Sequence, residues 1–280
     1  MASFSEREGI IKRKTIAQFG AMDSELRTAL WNCLMANYFE LTAQSHTGSK
    51  VSQTNLTNLC RQIWVRVFKL PIDEKPIDWR PTFDALKSYF FRATWAQVYD
   101  FVEFVPKNFS SSDSTHGRRF RGACNAIFVQ EVSGYRFIGT EIVPISNELE
   151  VEAVETAMSQ PTDFENIAFH IRNAVHLLSD KTAPDYRNSI KEAISAVEAM
   201  ATLVAGLEKP DLDKALDIIA TDYGFHTAFK RSLSSLFGYT SDAEGIRHAL
   251  MDRQTLSYDD AKFMVVSCST FVNYLRALKG

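Results

Sequence analysis

Apolar residues recur at helical spacing along most of the chain. An i, i+3, i+4 repeat places its apolar side chains on one face of an α-helix. Three stripes of this kind lie in the first half: Leu26, Leu30 and Leu34; Leu56, Leu59, Ile63 and Val67; Trp95, Val98, Val102 and Val105. Three more lie in the second half: Phe164, Ile167, Ile171 and Leu178; Ile190, Ile194, Val197 and Ala201; Ala261, Met264, Val265, Cys268, Val272 and Leu275. The pattern predicts a mainly α protein.

Residues 133–144 carry the one strand signal of this chain. Two short β-rich runs flank Gly139-Thr140, a spacing that predicts a small β-hairpin. The polar residues 109–117 predict a loop, and a helix is expected at about 119–132. We therefore predict two domains: a helical amino-terminal domain, 1–150, that ends in the hairpin, and a helical domain, 151–280.

Composition narrows the class of protein. Of the 280 residues, 45% are hydrophobic and 23% are charged, which predicts a globular chain with a substantial core. The net charge of −3 argues against a surface built for strong non-specific nucleic-acid binding. No apolar run approaches the roughly 20 residues that span a bilayer, and the first residues lack an apolar signal region. We expect a cytoplasmic protein with no membrane partner.

Cofactor and metal motifs are missing from the sequence. The four cysteines, Cys33, Cys60, Cys124 and Cys268, form no CxxC pair and have no histidine at zinc spacing, so buried free thiols are expected. Cys124 and His116 are too isolated to suggest a metal site. The glycines form neither a phosphate loop nor a dinucleotide fingerprint. We expect no metal and no cofactor.

Several segments resemble the fourth family of AbiJ-type amino-terminal domains, found in bacterial abortive-infection (anti-phage) proteins. The segments that carry the resemblance in the first half are Phe4–Gly9, Met22–Arg27, Leu30–Asn32, Ser133–Phe137 and Ile142–Ile145. Those in the second half are Asp185–Glu198, Gly238–Asp242, Gly245–Ala249 and Asp260–Lys262. The resemblance implies a role in phage defence.

The second half also resembles a HEPN domain, a helical bundle whose active members are metal-independent endoribonucleases. Those enzymes carry an Arg followed four to six residues later by a His, and two subunits bring their Arg-His pairs into one cleft. Here the matching segment reads Gly245-Ile246-Arg247-His248. The adjacent Arg and His depart from the family spacing, so the resemblance implies the fold and a homodimer more directly than it implies catalysis.

Arg247 and His248 have the side chains that RNA cleavage needs. Histidine transfers protons near neutral pH, and the guanidinium of arginine binds phosphate oxygens. On a helical wheel the neighbouring helix carries Arg187, Lys191 and Glu198 on one shoulder of its core face, with Glu192 pointing away from the core. Glu198 is the predicted acidic member of the site. The alternatives remain that Arg247 pairs with a local acid, Asp242 or Glu244, and that Glu198 forms an ordinary salt bridge.

Other basic residues are weaker candidates. Arg172 and His176 share a helix face at i and i+4 but precede the segment that the motif should follow, so a solvated face is favoured for them. Arg118, Arg119 and Arg121 could contact RNA phosphates, with Phe120 stacking on a base, and Lys12-Arg13-Lys14 form another basic run. Short runs of this kind are more often solvated surface.

Two hypotheses follow from these residues. In the first, the protein is a homodimeric RNA-cleaving toxin of phage defence, with RNA as substrate and a phage-derived trigger or cognate antitoxin as partner. In the second, the HEPN-like half is a non-catalytic module that binds a protein, nucleotide or RNA.

Overall fold

A computed structural model describes residues 4–8, 10, 14, 16–40, 50–51, 56–110, 113–159, 164–180, 185–237 and 256–279. The described residues are mainly helical with one two-stranded hairpin, which confirms the predicted fold class. The chain divides into two compact units, Met1–Ser146 and Asn147–Gly280, slightly before the predicted division between residues 150 and 151.

The first unit is built from short helices, some of which continue into wider π-helical turns. Its α-helices are α1, Phe4–Arg7; α2, Ser24–Leu34; α3, Thr57–Gln62; α4, Trp79–Arg92; α5, Trp95–Asn108; and α6, His116–Gln130. A π-helical turn, Met35–Phe39, extends α2, and a second, Ile63–Val67, extends α3; a 3-10 turn, Ile72–Glu74, follows. The α6 helix begins earlier than predicted, because His116 and the residues after it are helical rather than part of the preceding loop.

Side chains fix the ends of these helices. Asp23 accepts a hydrogen bond from the backbone N–H of Leu26 at 2.8 Å and so begins α2. Thr94 and Gln97 form a reciprocal capping box at the start of α5. The stripe Leu26, Leu30 and Leu34 is fully buried, as its spacing predicts. The cap at Asp23 and the buried apolar stripe thus both indicate a helix that begins at Ser24 and packs in the core.

The hairpin closes the first unit. Strands β1, Arg136–Ile138, and β2, Glu141–Val143, are antiparallel, with Phe137 opposite Ile142. Gly139 in the turn has φ of +59°, a left-handed conformation that glycine adopts without steric cost. On α6, the side-chain amide of Asn125 bonds both the N–H of Phe137, at 2.7 Å, and its carbonyl, at 2.9 Å. The predicted hairpin is confirmed, and α6 holds it in place.

The second unit has longer helices. They are α7, Glu148–Met158; α8, Glu165–Ser179; α9, Tyr186–Val204; α10, Leu212–Asp222; α11, Thr227–Phe237; and α12, Tyr258–Lys279. The α9 helix packs against α8 and α12, and α7 packs against both α8 and α12. The apolar stripes predicted for α8, α9 and α12 are buried, except that Phe164, which precedes α8, is half-buried. The result is a four-helix core to which α10 adds along α9.

Cross-helix contacts define the direction of these helices. Ser189 donates its hydroxyl to the carbonyl of Ala174, and Glu192 contacts His170, so α8 and α9 are antiparallel. In contrast, Tyr258 contacts the ring of Tyr186 at the start of α9, and Lys279 bonds the carbonyl of Leu203 near its end. The last helix therefore runs parallel to α9.

Candidate functional site

The predicted catalytic pair lies outside the described residues. Arg247 and His248 fall in the segment 238–255, together with their alternative partners Asp242 and Glu244. The chain re-enters the described part at Leu256, and Tyr258 begins α12. The rings of Tyr258 and Tyr186 have centroids 6.2 Å apart, so α12 begins beside the first turn of α9.

Three predicted site residues lie on α9. Arg187 and Lys191 are exposed and Glu198 is half-buried. At about 100° per residue, the three fall within about 40° of one another around the helix. Within the described part of the chain, none of the three makes a side-chain hydrogen bond or an ion pair. The alternative that Glu198 forms an ordinary salt bridge therefore has no partner among the described residues. Glu198 lies about 16 Å further along the helix axis than Arg187.

A histidine–carboxylate pair that the sequence interpretation missed joins α8 and α9. Nδ1 of His170 lies 2.8 Å from Oε2 of Glu192, and both side chains are about three-quarters buried. We expected Glu192 to point away from the core. Glu192 is half-buried because α8 packs beside it. The contact with His170 would have been predictable only if the antiparallel packing of α8 against α9 had been known. Glu192 lies about 100° around α9 from Lys191, so the pair does not join the predicted site.

The alternative pair on α8 is Arg172 and His176, and contacts within the second unit account for Arg172. The guanidinium of Arg172 forms an ion pair with Glu165 and also donates to the carbonyl of Met158 at 3.3 Å. The side chain of His176 is exposed. Because these contacts tie α8 to the end of α7, they account for Arg172 without a ligand.

The three arginines of α6 point in different directions around the helix axis. Arg118 and Arg119 are exposed, and Arg119 forms an ion pair with Asp113 at 2.5 Å. Arg121 is half-buried. The suggestion that Phe120 stacks on a base is wrong, because its ring is fully buried against Tyr38, with centroids 5.0 Å apart. Spacing on a helix places Phe120 on the core side of the arginines.

Within the first basic run, Lys14 is described, and carboxylates surround it. Its ammonium lies 2.8 Å from Asp23, 2.5 Å from Glu25 and 2.7 Å from Glu131. In the described part of the chain these carboxylates are the one acidic group close enough together to hold a metal ion. The ammonium of Lys14 contacts all three carboxylates and offsets one of their negative charges, so Lys14 is not presented to a phosphate.

The comparisons with known proteins bear on the first unit. Residues 2–160, more than half of the chain, match the family model described as AbiJ N-terminal domain 4. The chain belongs to this family. Membership in the AbiJ N-terminal domain 4 family indicates an abortive-infection, phage-defence protein. A search of curated proteins found no match to the chain, and neither did a search of solved structures. The HEPN-like resemblance of residues 151–280 stays a prediction.

The structure explains one of the segments that carried the resemblance, Ser133–Phe137, which lies in the AbiJ-family region, residues 2–160. Ser133 bonds Tyr99 at 2.8 Å, and the N–H of Gly20 donates to the hydroxyl of Tyr135. The side chain of Gln18 donates to the carbonyl of Glu131 at 2.8 Å. Burial raises the pKa of Tyr99 to about 12, so its hydroxyl stays protonated. These contacts attach the segment before α2 to the end of α6, which is a structural role.

None of the described helices is long and apolar enough to cross a lipid bilayer.

Proposed function

We propose that this AbiJ-family protein is a phage-defence toxin whose second unit cleaves RNA without a metal ion. The observation that carries the proposal is family membership, combined with the chain order of the second unit. The segment that holds Arg247 and His248 leads directly into α12, whose first residue contacts the start of α9 beside Arg187.

In this mechanism the side chains of His248 and Arg247 act on one phosphate. His248 takes the proton of the ribose 2′-hydroxyl or protonates the leaving oxygen, and Arg247 stabilises the charge on the phosphorane-like transition state. Two subunits each contribute one such pair to a shared cleft. Glu198 orients the pair, and the exposed Arg187 and Lys191 attract the RNA backbone.

The length of the intervening chain supports these assignments. Tyr258 lies ten positions after His248 along the chain, and an extended chain spans about 3.3–3.6 Å per residue. That reach exceeds the distance of about 16 Å between Arg187 and Glu198 along α9, so the length of the chain is compatible with a site at either residue. The arginines of α6 belong to the AbiJ-family region and are proposed as a second RNA contact.

The test is cleavage of RNA by the purified full-length chain in EDTA. We expect products with 2′,3′-cyclic phosphate ends, and we expect Arg247→Ala and His248→Ala each to abolish cleavage. Arg172→Ala and His176→Ala are matched controls with the same residue types, and they should retain cleavage. If both Arg247→Ala and His248→Ala remained active, the assigned site would be wrong.

A non-catalytic binding module is the second candidate. The observation that favours it is the adjacency of Arg247 and His248, which departs from the spacing of active HEPN enzymes. RNA binding without cleavage by the wild-type dimer, with equal growth of cells that express wild type and His248→Ala, would favour the module. Growth arrest that depends on His248 would favour the toxin.

A further inference from the structure

Two cysteines that lie far apart in the sequence meet in the core of the AbiJ-family region. Cys33 lies on α2 and Cys124 lies on α6, 91 positions later, and their sulfur atoms are 3.9 Å apart. These two helices pack directly against each other. The other two cysteines, Cys60 and Cys268, are buried with no second thiol within hydrogen-bonding distance in the described residues. The chain thus holds one thiol pair and two single thiols that serve as internal references.

The separation of the two sulfurs is close to the distance needed for a disulfide. A disulfide bond is about 2.05 Å long, so the sulfurs must approach by roughly 2 Å. The cross-link therefore requires rotation about the Cα–Cβ bonds of the two cysteines, together with an adjustment of the two helices. No other side chain has to leave, because the two thiols already contact each other.

The surroundings make the two thiols unequal. Cys33 retains 7% exposure, whereas Cys124 is fully buried. The sulfur of Cys33 also accepts a hydrogen bond from the side-chain amide of Asn37 at 3.7 Å. A hydrogen bond from Cys124 lowers the pKa of Cys33, and burial raises the pKa of Cys124. Because a thiolate is the reactive form, Cys33 is the nucleophile of the pair.

We propose that Cys33 and Cys124 form an oxidisable dithiol site, which hydrogen peroxide converts to an intramolecular disulfide between α2 and α6. The thiolate of Cys33 attacks one peroxide oxygen, the O–O bond breaks, and the sulfenic acid of Cys33 forms as hydroxide leaves and takes up the thiol proton to become water. The sulfur of Cys124 then attacks the sulfenic sulfur, the S–O bond breaks, and a second water leaves with the Cys124 proton. Two thiols are oxidised by two electrons, and one peroxide is reduced to two waters.

The cross-link acts on the unit that the family match covers and is independent of the proposed RNA cleavage. A bond between positions so far apart in the chain removes many conformations from the unfolded state. It also fixes α2 against α6, the helix that holds the hairpin through Asn125. Oxidation is therefore expected to stiffen and stabilise the amino-terminal unit.

The first test is mass spectrometry of the folded full-length chain. The protein is treated with hydrogen peroxide, denatured, alkylated and digested. We expect one cross-linked peptide pair that joins Cys33 to Cys124, two hydrogens lighter than the separate peptides, with Cys60 and Cys268 recovered as alkylated thiols. A disulfide through Cys60 or Cys268, a sulfinic or sulfonic acid at Cys33 without the cross-link, or four intact thiols would each overturn the proposal.

Substitution and stability supply the second test. Cys33→Ala and Cys124→Ala should abolish the cross-link, whereas Cys60→Ala and Cys268→Ala should retain it. The mass measurement on wild type needs no variant, so misfolding of a core substitution leaves the outcome readable. In wild type the thermal midpoint followed by tryptophan fluorescence should rise on oxidation and return on addition of dithiothreitol. Formation of the cross-link with no rise would overturn the stabilising role.

Discussion

The two units have cores of different chemistry. Aromatic side chains fill the first: Trp31, Tyr38, Phe39, Trp64, Phe90, Tyr99, Phe101, Phe120, Phe128 and Phe137 are all buried. The second is filled mainly by aliphatic and small residues, although Phe237 and Phe271 are also buried there. The buried alanines of its helices are Ala157, Ala168, Ala174, Ala193, Ala196, Ala201, Ala215 and Ala261. Short helices with π-helical turns leave irregular gaps that large rings fill, whereas alanines allow long helices to pack closely along their length. The first unit should therefore be destabilised most by the loss of side-chain volume in its core, and the second by the addition of side-chain volume.

The largest expected effect is the loss of a ring from the first core. Trp31 is 4% exposed and contacts the rings of Phe39, Phe83, Phe90 and Phe91. Trp31→Ala should lower the free energy of unfolding by about 3–5 kcal/mol, because it removes contact area and leaves a cavity. All four tryptophans lie in the first unit, so urea unfolding followed by the fluorescence of the remaining three reports that unit.

Trp79→Ala is the matched control for this change. Trp79 is half-buried and touches Phe39 and Phe83, so its removal should cost less. An equal loss in the two variants would contradict the view that Trp31 is the centre of the aromatic core.

The second core should be sensitive to added volume. Ala196 on α9 is fully buried. Ala196→Leu should lower the free energy of unfolding by about 1–3 kcal/mol, since a larger side chain forces neighbouring helices apart. Ala199→Leu places the same side chain at a half-buried position of the same helix and should cost less. The measurement is urea unfolding followed by far-ultraviolet circular dichroism, which reports helices of both units; equal effects of the two variants would remove the contrast.

Helix caps should matter to a similar extent in both units. Asp23 caps α2, and Asp185 caps α9 by accepting from the N–H of Asn188 at 3.1 Å. Asp23→Ala and Asp185→Ala should each cost about 1 kcal/mol of unfolding free energy, with the larger loss at Asp23 because Lys14 also contacts that carboxylate. Asp23→Asn keeps the cap and removes the charge, so it should lie between wild type and Asp23→Ala.

The Asp23 contribution should also depend on pH. Burial opposes ionisation of Asp23, but hydrogen bonds from Lys14 and from the N–H of Leu26 outweigh it, and its pKa lies below the ordinary value. A carboxylate with a lowered pKa contributes stability above its unfolded pKa of about 3.9, and that contribution is lost as pH falls through the folded-state pKa. The difference in unfolding free energy between wild type and Asp23→Asn should therefore shrink below about pH 4. A constant difference down to pH 2 would contradict this.

The smallest expected effects are those of surface ion pairs. Arg80 pairs with Asp84 at 3.2 Å in the first unit, and Lys230 pairs with Asp217 at 2.8 Å in the second. Solvent screens such pairs, so Arg80→Ala and Lys230→Ala should each change the free energy of unfolding by about 0.2–1 kcal/mol. If either variant lost as much unfolding free energy as Trp31→Ala, the view that core packing dominates the stability of the two units would be wrong.

The apolar periodicity determined much of the fold. It predicted the buried faces of α2, α8, α9 and α12, because an amphipathic stripe is a local property of the sequence. The hairpin was also predictable, since Gly139 supplies the left-handed turn residue that short strands need. The resemblance in the first half led to the AbiJ family, and the family match over residues 2–160 confirmed it.

Contacts between distant segments required the tertiary structure. The meeting of Cys33 with Cys124, the burial of Phe120 and the pair of His170 with Glu192 depend on which helix lies beside which. A helical wheel gives the direction of a side chain relative to its own axis but not the identity of the neighbour that covers it. The sequence alone therefore determined the helices that carry these apolar stripes, the core faces of those helices, and the family. Packing decided which polar and sulfur-bearing side chains became neighbours, because those contacts join residues that the local pattern does not connect.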